Sequence, residues 1–455
     1  MSGKKSRGSV VVVAVWAALV LSPAAAQTKR TVESRLLEML RDKGVISAAD
    51  HDELMEIAAE MRREDAQQDQ LSAHVDELIS RIQDEKKAEP SISYKKGRGF
   101  TFSRPSEKFR LNIGGRLQVR LTYDFWSKND NTSDQDEPDF DVRRARIWFQ
   151  GNAFKKWMRY KLQLEVAGDE VETDVGVLGL PAEEFDSSND LTELKDAYFE
   201  VAKWRELRLR AGQFKVPYSR QAIASSGELQ FVDRAITHRI FAPARDIGVM
   251  LSGDLGDDDA FLLEYAAGVF DGEGENRTND DKGLLWAGRV AIHPFGERGY
   301  GESDLKGSES FKLAVGFNAW LHQDDGHDGR GDDWSIGLDF AAVWQGFSAL
   351  FELHYQEVDV TAGPDVDVLG WMAQVGYMVI PEKLELGIRA ASIDWDGNAG
   401  SESGHREYLV VVGWFFDDHD WKVQADFGRV EDHEGNDHRD NRDEWRLRVQ
   451  FQMIF

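Results

Sequence analysis

The chain has 455 residues, and its 82 acidic and 55 basic side chains give a formal net charge of −27 at pH 7. Such an acidic excess excludes an ordinary nucleic-acid-binding protein, since phosphate backbones attract basic surfaces. After Val20 no apolar run approaches the roughly 18 residues that a membrane-spanning helix needs. A helical membrane protein is therefore excluded, but a transmembrane β-barrel is not, because its strands alternate apolar with polar residues.

The residue composition adds two constraints. Cysteine is absent, which excludes disulfides, thiolate zinc sites and cysteine nucleophiles. The 25 Phe, 14 Trp and 10 Tyr favour a β-rich protein, because aromatic side chains are common in strands and at membrane interfaces. Only 10 Pro are present, as expected if central strands are abundant.

Residues 1–26 are predicted to be a secretory signal peptide. Lys4, Lys5 and Arg7 come first, an apolar stretch follows, and small residues end it at Ala26. A basic start, an apolar middle and a small-residue cleavage site are typical of exported proteins. A membrane anchor is disfavoured because the apolar stretch is short.

Residues 27–90 have a helical pattern, in which apolar residues such as Leu71 and Val75 are spaced by threes and fours. Ser47, with Asp50 three positions later, is predicted to cap the second of two helices. The narrow apolar stripe with charged flanks suits a coiled coil, and a helical hairpin that folds on itself explains it equally well.

Residues 91–110 are predicted to be a linker, because prolines and glycines such as Gly97, Gly99 and Pro105 interrupt any regular pattern. After Leu111 the period of the apolar residues changes from 3.6 to 2, which indicates strands.

Sixteen alternating segments follow, and they begin near residues 115, 142, 158, 194, 206, 245, 260, 284, 310, 334, 346, 367, 383, 405, 420 and 443. Long and short connections alternate between them, which is typical of a transmembrane barrel. A soluble β-sandwich would alternate too, but it does not explain so many strands near the 9 to 11 residues that cross a bilayer. Residues 111–455 are therefore predicted to form a 16-stranded antiparallel transmembrane β-barrel, an all-β fold preceded by the α-helical segment. The connection 294–308 is too long for a short turn, so either this turn is enlarged or a strand is misplaced.

Basic residues are concentrated on the polar faces of the early strands and in the longest connection, about 215–244. Residues 207–245 contain seven basic and two acidic side chains, a local charge of +5 in an acidic chain. Cations in a narrow lumen favour anions, and guanidinium groups match oxoanions well. The alternative is that these cations pair with carboxylates such as Glu165, Asp196 and Glu200 and only stiffen the barrel.

Several motifs resemble the phosphate-selective porin O and P family. They are Ile113-Gly-Gly-Arg-Leu-Gln118, Val142-Arg-Arg-Ala-Arg146, Leu209-Arg-Ala-Gly-Gln-Phe-Lys-Val-Pro-Tyr-Ser-Arg220, Leu229-Gln-Phe-Val-Asp-Arg234 and Ala244-Arg-Asp-Ile-Gly-Val-Met-Leu251. The resemblance runs from about Leu111 to Phe455, and the terminal Phe455 is similar to the signal read by the bacterial barrel-assembly machinery. It implies an outer-membrane homotrimer that passes phosphate or related anions passively. The chain departs from the family in its long loops, which are acidic where characterised members gather lysines near the mouth.

The predicted function is an anion-preferring outer-membrane porin with an arginine-lined lumen, narrowed by the third long loop. The predicted anion pathway comprises Arg116, Arg120, Arg144, Arg146, Arg208, Arg210, Lys215, Arg220, Arg234, Arg239 and Arg245. Two alternatives stay open: a general diffusion porin for small organic solutes, and a barrel anchor whose periplasmic helix trimerises or contacts the cell wall. The expected partners are small anions, lipid and lipopolysaccharide. No enzyme motif, cofactor site or metal site is predicted.

Overall fold

The computed structural model describes residues 35–88, 91–104, 108–126, 138–167, 192–279, 282–323, 331–359, 365–396, 402–433 and 442–455. The predicted signal peptide and the centres of several acidic loops lie outside the described residues. The chain divides into two compact units, Met1–Ala88 and Glu89–Phe455.

The first unit is helical, as its spacing of apolar residues predicts. Residues 35–42 are helical, and a longer helix follows, α1 (Ala48–Ala88). Ser47 and Asp50 cap it reciprocally: the Asp50 N–H donates to Ser47 Oγ, and the Ser47 N–H donates to Asp50 Oδ2, both at 3.1 Å. The predicted cap is thus confirmed. Among the described residues, no helix combines the length and the apolar character needed to cross a membrane.

The second unit is a closed antiparallel barrel of sixteen strands. Their numbering starts at β3, because two short strands, described below, precede them in the chain. The sixteen strands are β3 (Arg110–Trp126), β4 (Pro138–Asn152), β5 (Met158–Glu165), β6 (Glu193–Val201), β7 (Arg208–Lys215), β8 (Arg245–Gly256), β9 (Leu262–Phe270), β10 (Leu285–His293), β11 (Lys312–His322), β12 (Asp333–Trp344), β13 (Phe347–Val358), β14 (Val366–Ile380), β15 (Leu384–Asp396), β16 (Glu402–Asp417), β17 (Trp421–His433) and β18 (Arg442–Ile454). Each pairs with its neighbours along the chain, and β18 pairs with β3 to close the barrel. Every strand begins within five residues of its predicted start, so the predicted fold class is confirmed.

The outer surface of the barrel is apolar and the inner surface is polar. In β10 the side chains of Trp286 and Val290 are exposed, whereas the alternating Arg289 and His293 are buried. In a soluble protein the apolar residues are buried and the polar ones exposed, so this arrangement is the reverse. It is expected of a barrel whose outside faces lipid, because alternate residues of a strand point to opposite faces.

A hairpin that was not predicted precedes the barrel, in the segment 91–110 that the sequence analysis assigned to a linker. It consists of β1 (Ser91–Lys95) and β2 (Gly99–Ser103). β2 pairs with the first residues of β3, where Phe100 lies opposite Ile113. β18 reaches only as far as the pair Ile454 and Arg116, so the hairpin continues the wall beyond the end of β18.

The connection between β10 and β11 is an enlarged turn, which resolves the ambiguity at 294–308 without a misplaced strand. Its central residue Glu302 is buried and accepts three hydrogen bonds. The donors are the Gln221 side chain at 3.0 Å, the Gln230 backbone at 2.8 Å and the Gln374 side chain at 3.0 Å. Because Gln374 is an inward residue of β14, this turn reaches the inner face of the wall.

The connection between β7 and β8, residues 216–244, is largely buried and contains two short helices, α2 (Arg220–Ile223) and α3 (Thr237–Phe241). An apolar cluster joins it to the inner wall, where Tyr218 and Phe241 pack with residues such as Trp320. The Trp320 indole N–H also donates to the carbonyl of Phe241 at 2.9 Å. Apolar burial therefore fixes both ends of this loop inside the barrel.

Candidate functional site

A cavity of about 430 Å³ lies between loop 216–244 and the inner faces of β3 to β10. Eight basic residues line it: Arg116, Arg146, Lys161, Arg208, Arg210, Lys215, Arg245 and Arg289. Its acidic lining residues are Asp196, Asp254 and Glu264. Six of the eleven residues of the predicted pathway are therefore brought together around one cavity.

Most of these cations are neutralised by a nearby carboxylate. Arg208 binds Asp254 through two contacts of 2.5 and 2.7 Å. Arg210 Nη2 lies 2.6 Å from Glu200, and its guanidinium also stacks on the ring of Tyr198. The sequence analysis left open that the arginines pair with local carboxylates. Arg208 and Arg210 do so.

Asp196 is shared by two cations on the cavity wall. Its Oδ1 atom lies 2.8 Å from Arg245 Nε, and its Oδ2 atom lies 2.6 Å from Lys161 Nζ. Arg245 also contacts Glu275 at 3.3 Å. The lining residues Arg146 and Arg289 are paired with Glu165 and Asp339, two carboxylates that are not part of the lining. The positive excess of the cavity therefore depends on the cations that lack a carboxylate partner.

Arg116 and Lys215 are two such cations. Arg116 donates to the hydroxyls of Ser226 at 2.5 Å and Ser225 at 3.2 Å, and its buried Nε atom has no hydrogen-bond partner in the described part of the chain. Lys215 Nζ donates to three carbonyls at the end of α2, those of Ala222, Ile223 and Ala224, at 2.7, 3.1 and 2.7 Å. The partners of both side chains are thus hydroxyls and carbonyls, and neither side chain has a salt bridge within the described residues.

The remaining predicted residues do not line the cavity. Arg220 is buried and donates to the carbonyl of Arg298 at 2.8 Å. Arg234 donates to the carbonyls of Gln221 and Ala224 at 2.9 and 3.0 Å, and burial together with nearby cations lowers its pKa to about 9. Arg220 and Arg234 therefore hold loop 216–244 in place. Arg239 is exposed, on α3.

Arg120 and Arg144 converge on a loop residue, Asp233. Their Nη2 atoms lie 2.8 and 3.1 Å from its carboxylate, and Arg143 joins them at 3.3 Å. Strict alternation would place Arg143 and Arg144 on opposite faces. A β-bulge between β3 and β4, where Arg120 lies opposite Asp141, lets both reach the same carboxylate.

The first turn of loop 216–244 is held by a polar network on β12 and β13. Tyr218 OH lies 2.7 Å from Ser335 Oγ and 3.0 Å from His354 Nδ1. Glu352 accepts hydrogen bonds from Ser219 Oγ and from the backbone N–H of Gln221 at 2.9 Å. Within the described residues, no group of side chains has the composition of a metal site.

Sequence reasoning missed several basic residues of the inner face. Arg289, Arg389 and Arg448 are buried and ion-paired, the last two with an acidic residue of a neighbouring strand and Arg289 with Asp339 two strands away. Their positions in alternating strands would have revealed that they point inward. Arg143 could not have been found this way, because it lies in the bulge.

Comparison with known proteins agrees with this architecture. The family described as phosphate-selective porin O and P matches residues 112–316 and 321–455. No curated protein matches the chain. Among solved structures, the outer membrane channel DcaP of Acinetobacter baumannii is 12% identical, with a TM-score of 0.51 over 76% of this chain and 97% of that one. An anion-selective porin from Comamonas acidovorans is 10% identical, with a TM-score of 0.50 over 76% and 99% of the two chains.

At these identities the solved structures support the fold alone, whereas the family match covers most of the barrel. The chain therefore belongs to the phosphate-selective porin O and P family and is a bacterial outer-membrane protein.

Proposed function

We propose that the barrel is a channel for the passive diffusion of small anions across the outer membrane, through the cavity between loop 216–244 and the wall. The observation that carries this proposal is the pair Arg116 and Lys215, two cavity-lining cations held only by neutral groups within the described residues. In a partly desolvated lumen, a surplus positive charge attracts anions and repels cations. Family and fold also favour a channel over an enzyme.

Loop 216–244 is the element that narrows the path in this proposal. Its apolar cluster packs against strands from β7 to β15, and the cavity lies along β3 to β10, where Phe214 and Met250 belong to both. An anion that crosses the barrel therefore passes Arg116 and Lys215 at close range. The paired arginines form a polar wall, along which an anion can exchange one hydrogen-bond donor for the next.

Phosphate is the permeant that the family description suggests, and the donors fit it. The unpartnered Nε of Arg116 offers an N–H to an oxoanion, and guanidinium groups bind phosphate oxygens two at a time. Neutral organic solutes are the competing permeants. Rates of liposome swelling in small sugars, compared with those in organic anions of the same size, would separate a general porin from an anion-preferring one.

Reversal potentials in planar lipid bilayers under a KCl gradient test the proposal. The wild-type channel is expected to prefer chloride, and Arg116→Gln is expected to reduce that preference. Lys155→Gln is the matched control, because it removes one positive charge from an exposed turn outside the cavity. Cation preference in the wild type would refute the proposal, as would equal effects of the two substitutions.

Phosphate specificity needs a separate measurement. If phosphate binds in the cavity, adding it at constant ionic strength reduces the chloride current, and Arg116→Gln weakens this block. A chloride current that is insensitive to phosphate would leave an anion channel without phosphate preference.

A second role concerns α1, which we propose lies in the periplasm and joins three chains into a homotrimer. Leu54, Ile57, Val75 and Leu78 are exposed apolar residues on this helix, and burying them in a coiled coil would stabilise an assembly. Deletion of residues 27–88 tests this, with trimer stability and co-sedimentation with cell wall as the two readouts. If neither changes, the helix has neither role.

A further inference from the structure

The carboxylate of Asp233 is bound as a free anion would be. Its Oδ2 atom accepts from Arg120 Nη2 at 2.8 Å and from Arg143 Nε at 3.3 Å, and its Oδ1 atom accepts from Arg144 Nη2 at 3.1 Å. Three guanidinium groups around one carboxylate make an anion site by composition and by geometry. We call Arg120, Arg143 and Arg144 the arginine cradle.

The cradle is held by side chains of the barrel wall as well as by the loop, whose Val232 carbonyl accepts from Arg120 Nη2 at 3.3 Å. Arg120 donates to Gln450 on β18 at 3.1 Å, and Arg144 donates to Gln118 on β3 at 3.0 Å. These neutral side chains orient the guanidinium groups without neutralising them. The side chains of Arg120 and Arg144 are only 8% and 5% exposed, so little water screens their charges.

Asp233 is the only salt-bridge partner of Arg120 and Arg144 among the described residues. The nearby Arg448 is already paired with Asp426 through contacts of 2.9 and 2.8 Å. Loss of the Asp233 carboxylate would leave Arg120 and Arg144 close together, with little solvent around them and no salt bridge in the described part of the chain. Such a group strongly favours any anion that can enter.

Two contacts hold the loop backbone around Asp233 without involving the carboxylate. Arg389 Nη1 donates to the Asp233 carbonyl at 2.8 Å, and the Val232 N–H donates to Asp426 at 3.2 Å. Truncation of the Asp233 side chain removes the hydrogen bond from the Arg234 N–H, at 3.0 Å, and keeps these two. The space that the carboxylate occupied becomes available to a small ligand of the same shape.

We propose that Arg120, Arg143 and Arg144 form a second anion-binding site on the barrel wall, whose resident ligand is the Asp233 carboxylate and which accepts a free small carboxylate when that side chain is removed. In the native protein Asp233 keeps the site closed to permeating anions. Among the cations that line the cavity, Arg116 and Lys215 then supply the surplus charge available to these anions. Asp233 thus determines how many anion sites the lumen offers.

Chemical rescue of the full-length protein tests this proposal. Asp233→Ala is expected to lower the melting temperature in chloride, and formate at equal ionic strength is expected to restore most of the loss. Formamide, which has the same shape without the charge, is expected to have no effect. Asp233→Asn fills the space with an amide and is expected to be insensitive to formate.

Asp254→Ala is the matched control, because Asp254 binds chiefly one arginine, Arg208, at a half-buried position. Formate is expected to rescue it far less than Asp233→Ala. If Asp233→Ala does not refold in chloride, the refolded yield as a function of formate concentration gives the same answer. The proposal would be overturned if formate raised neither the melting temperature nor the refolded yield of Asp233→Ala, or if it raised them equally in the wild type. These readouts measure stability, so they do not depend on whether the channel prefers anions.

Discussion

Ser219 donates its hydroxyl to the carboxylate of Glu352 at 3.0 Å, and this bond joins loop 216–244 to β13. Ser219 has a φ of 56°, an uncommon value for a residue with a side chain. Its Oγ also accepts from the N–H of Ala222 at 3.1 Å, so one hydroxyl caps α2 and contacts the wall. Its backbone N–H donates to Asn318 Oδ1 at 3.2 Å, so three hydrogen bonds hold the unusual backbone conformation.

Ser219→Ala is expected to destabilise the loop. The substitution leaves the buried Glu352 without one of its donors and α2 without its cap, at a cost of roughly 1–3 kcal/mol. Limited proteolysis of the folded barrel would detect faster cleavage within residues 216–244. Ser93→Ala is the control, because Ser93 is exposed on β1. Equal cleavage of both variants would show that the Ser219 contacts contribute nothing.

Ion-paired cations are expected to contribute little to selectivity. Arg208 is matched by Asp254, so the double substitution Arg208→Gln with Asp254→Asn removes one charge of each sign from the cavity wall. Its reversal potential should equal that of the wild type, whereas Arg116→Gln alone shifts the potential towards cations. A larger shift in the double variant would mean that the paired arginines carry the selectivity.

Gly114 is expected to tolerate no side chain. A Cβ atom there would lie 2.5 Å from the ring of Trp148, which is buried inside the barrel. Gly114→Ala should therefore displace Trp148 and cost about 1–3 kcal/mol, measured by urea titration of the folded barrel in detergent. Gly299→Ala is the control, since no heavy atom lies within 4 Å of the added Cβ. A similar midpoint for both variants would contradict this expectation.

The cap of α1 is expected to weaken in acid. The hydrogen bonds from Ser47 lower the pKa of Asp50, so the cap is complete above the ordinary carboxyl pKa and is lost as the pH falls through the lowered value. Hydrogen exchange in the first turn of α1, corrected for intrinsic rates, should accelerate over this range. Asp50→Asn should abolish the pH dependence. An unchanged profile in Asp50→Asn would show that another group is responsible.

The alternation of apolar and polar residues predicted the strands correctly. Successive residues of a strand point to opposite faces of the wall, and in this barrel the inner face is polar and the outer face is apolar. The same rule failed at Arg143, since the bulge that turns it inward depends on the pairing of two strands. The hairpin at 91–103 was missed because each of its strands has five residues and glycines separate them. Short strands with glycine between them resemble a linker.

Which cations carry surplus charge could not be predicted from the sequence. The partners of Arg116 are Ser225 and Ser226, more than a hundred residues away along the chain. Arg208 and Arg210 look equivalent to Arg116 in sequence, yet their partners are carboxylates on neighbouring strands. Compensation of a charge depends on tertiary contacts, whereas its presence is visible in the sequence.

The apolar cluster around Phe241 and Trp320 has an electrical consequence. It fills part of the barrel interior with side chains of loop 216–244 and of strands from β7 to β15, so less of the cross-section stays open than a sixteen-strand circumference would enclose. The resistance of a conductor is dominated by its narrowest section, which here consists of side chains and not of the hydrogen-bonded wall. In the proposed channel, single substitutions in this section would change the ohmic conductance while the number of strands stays fixed.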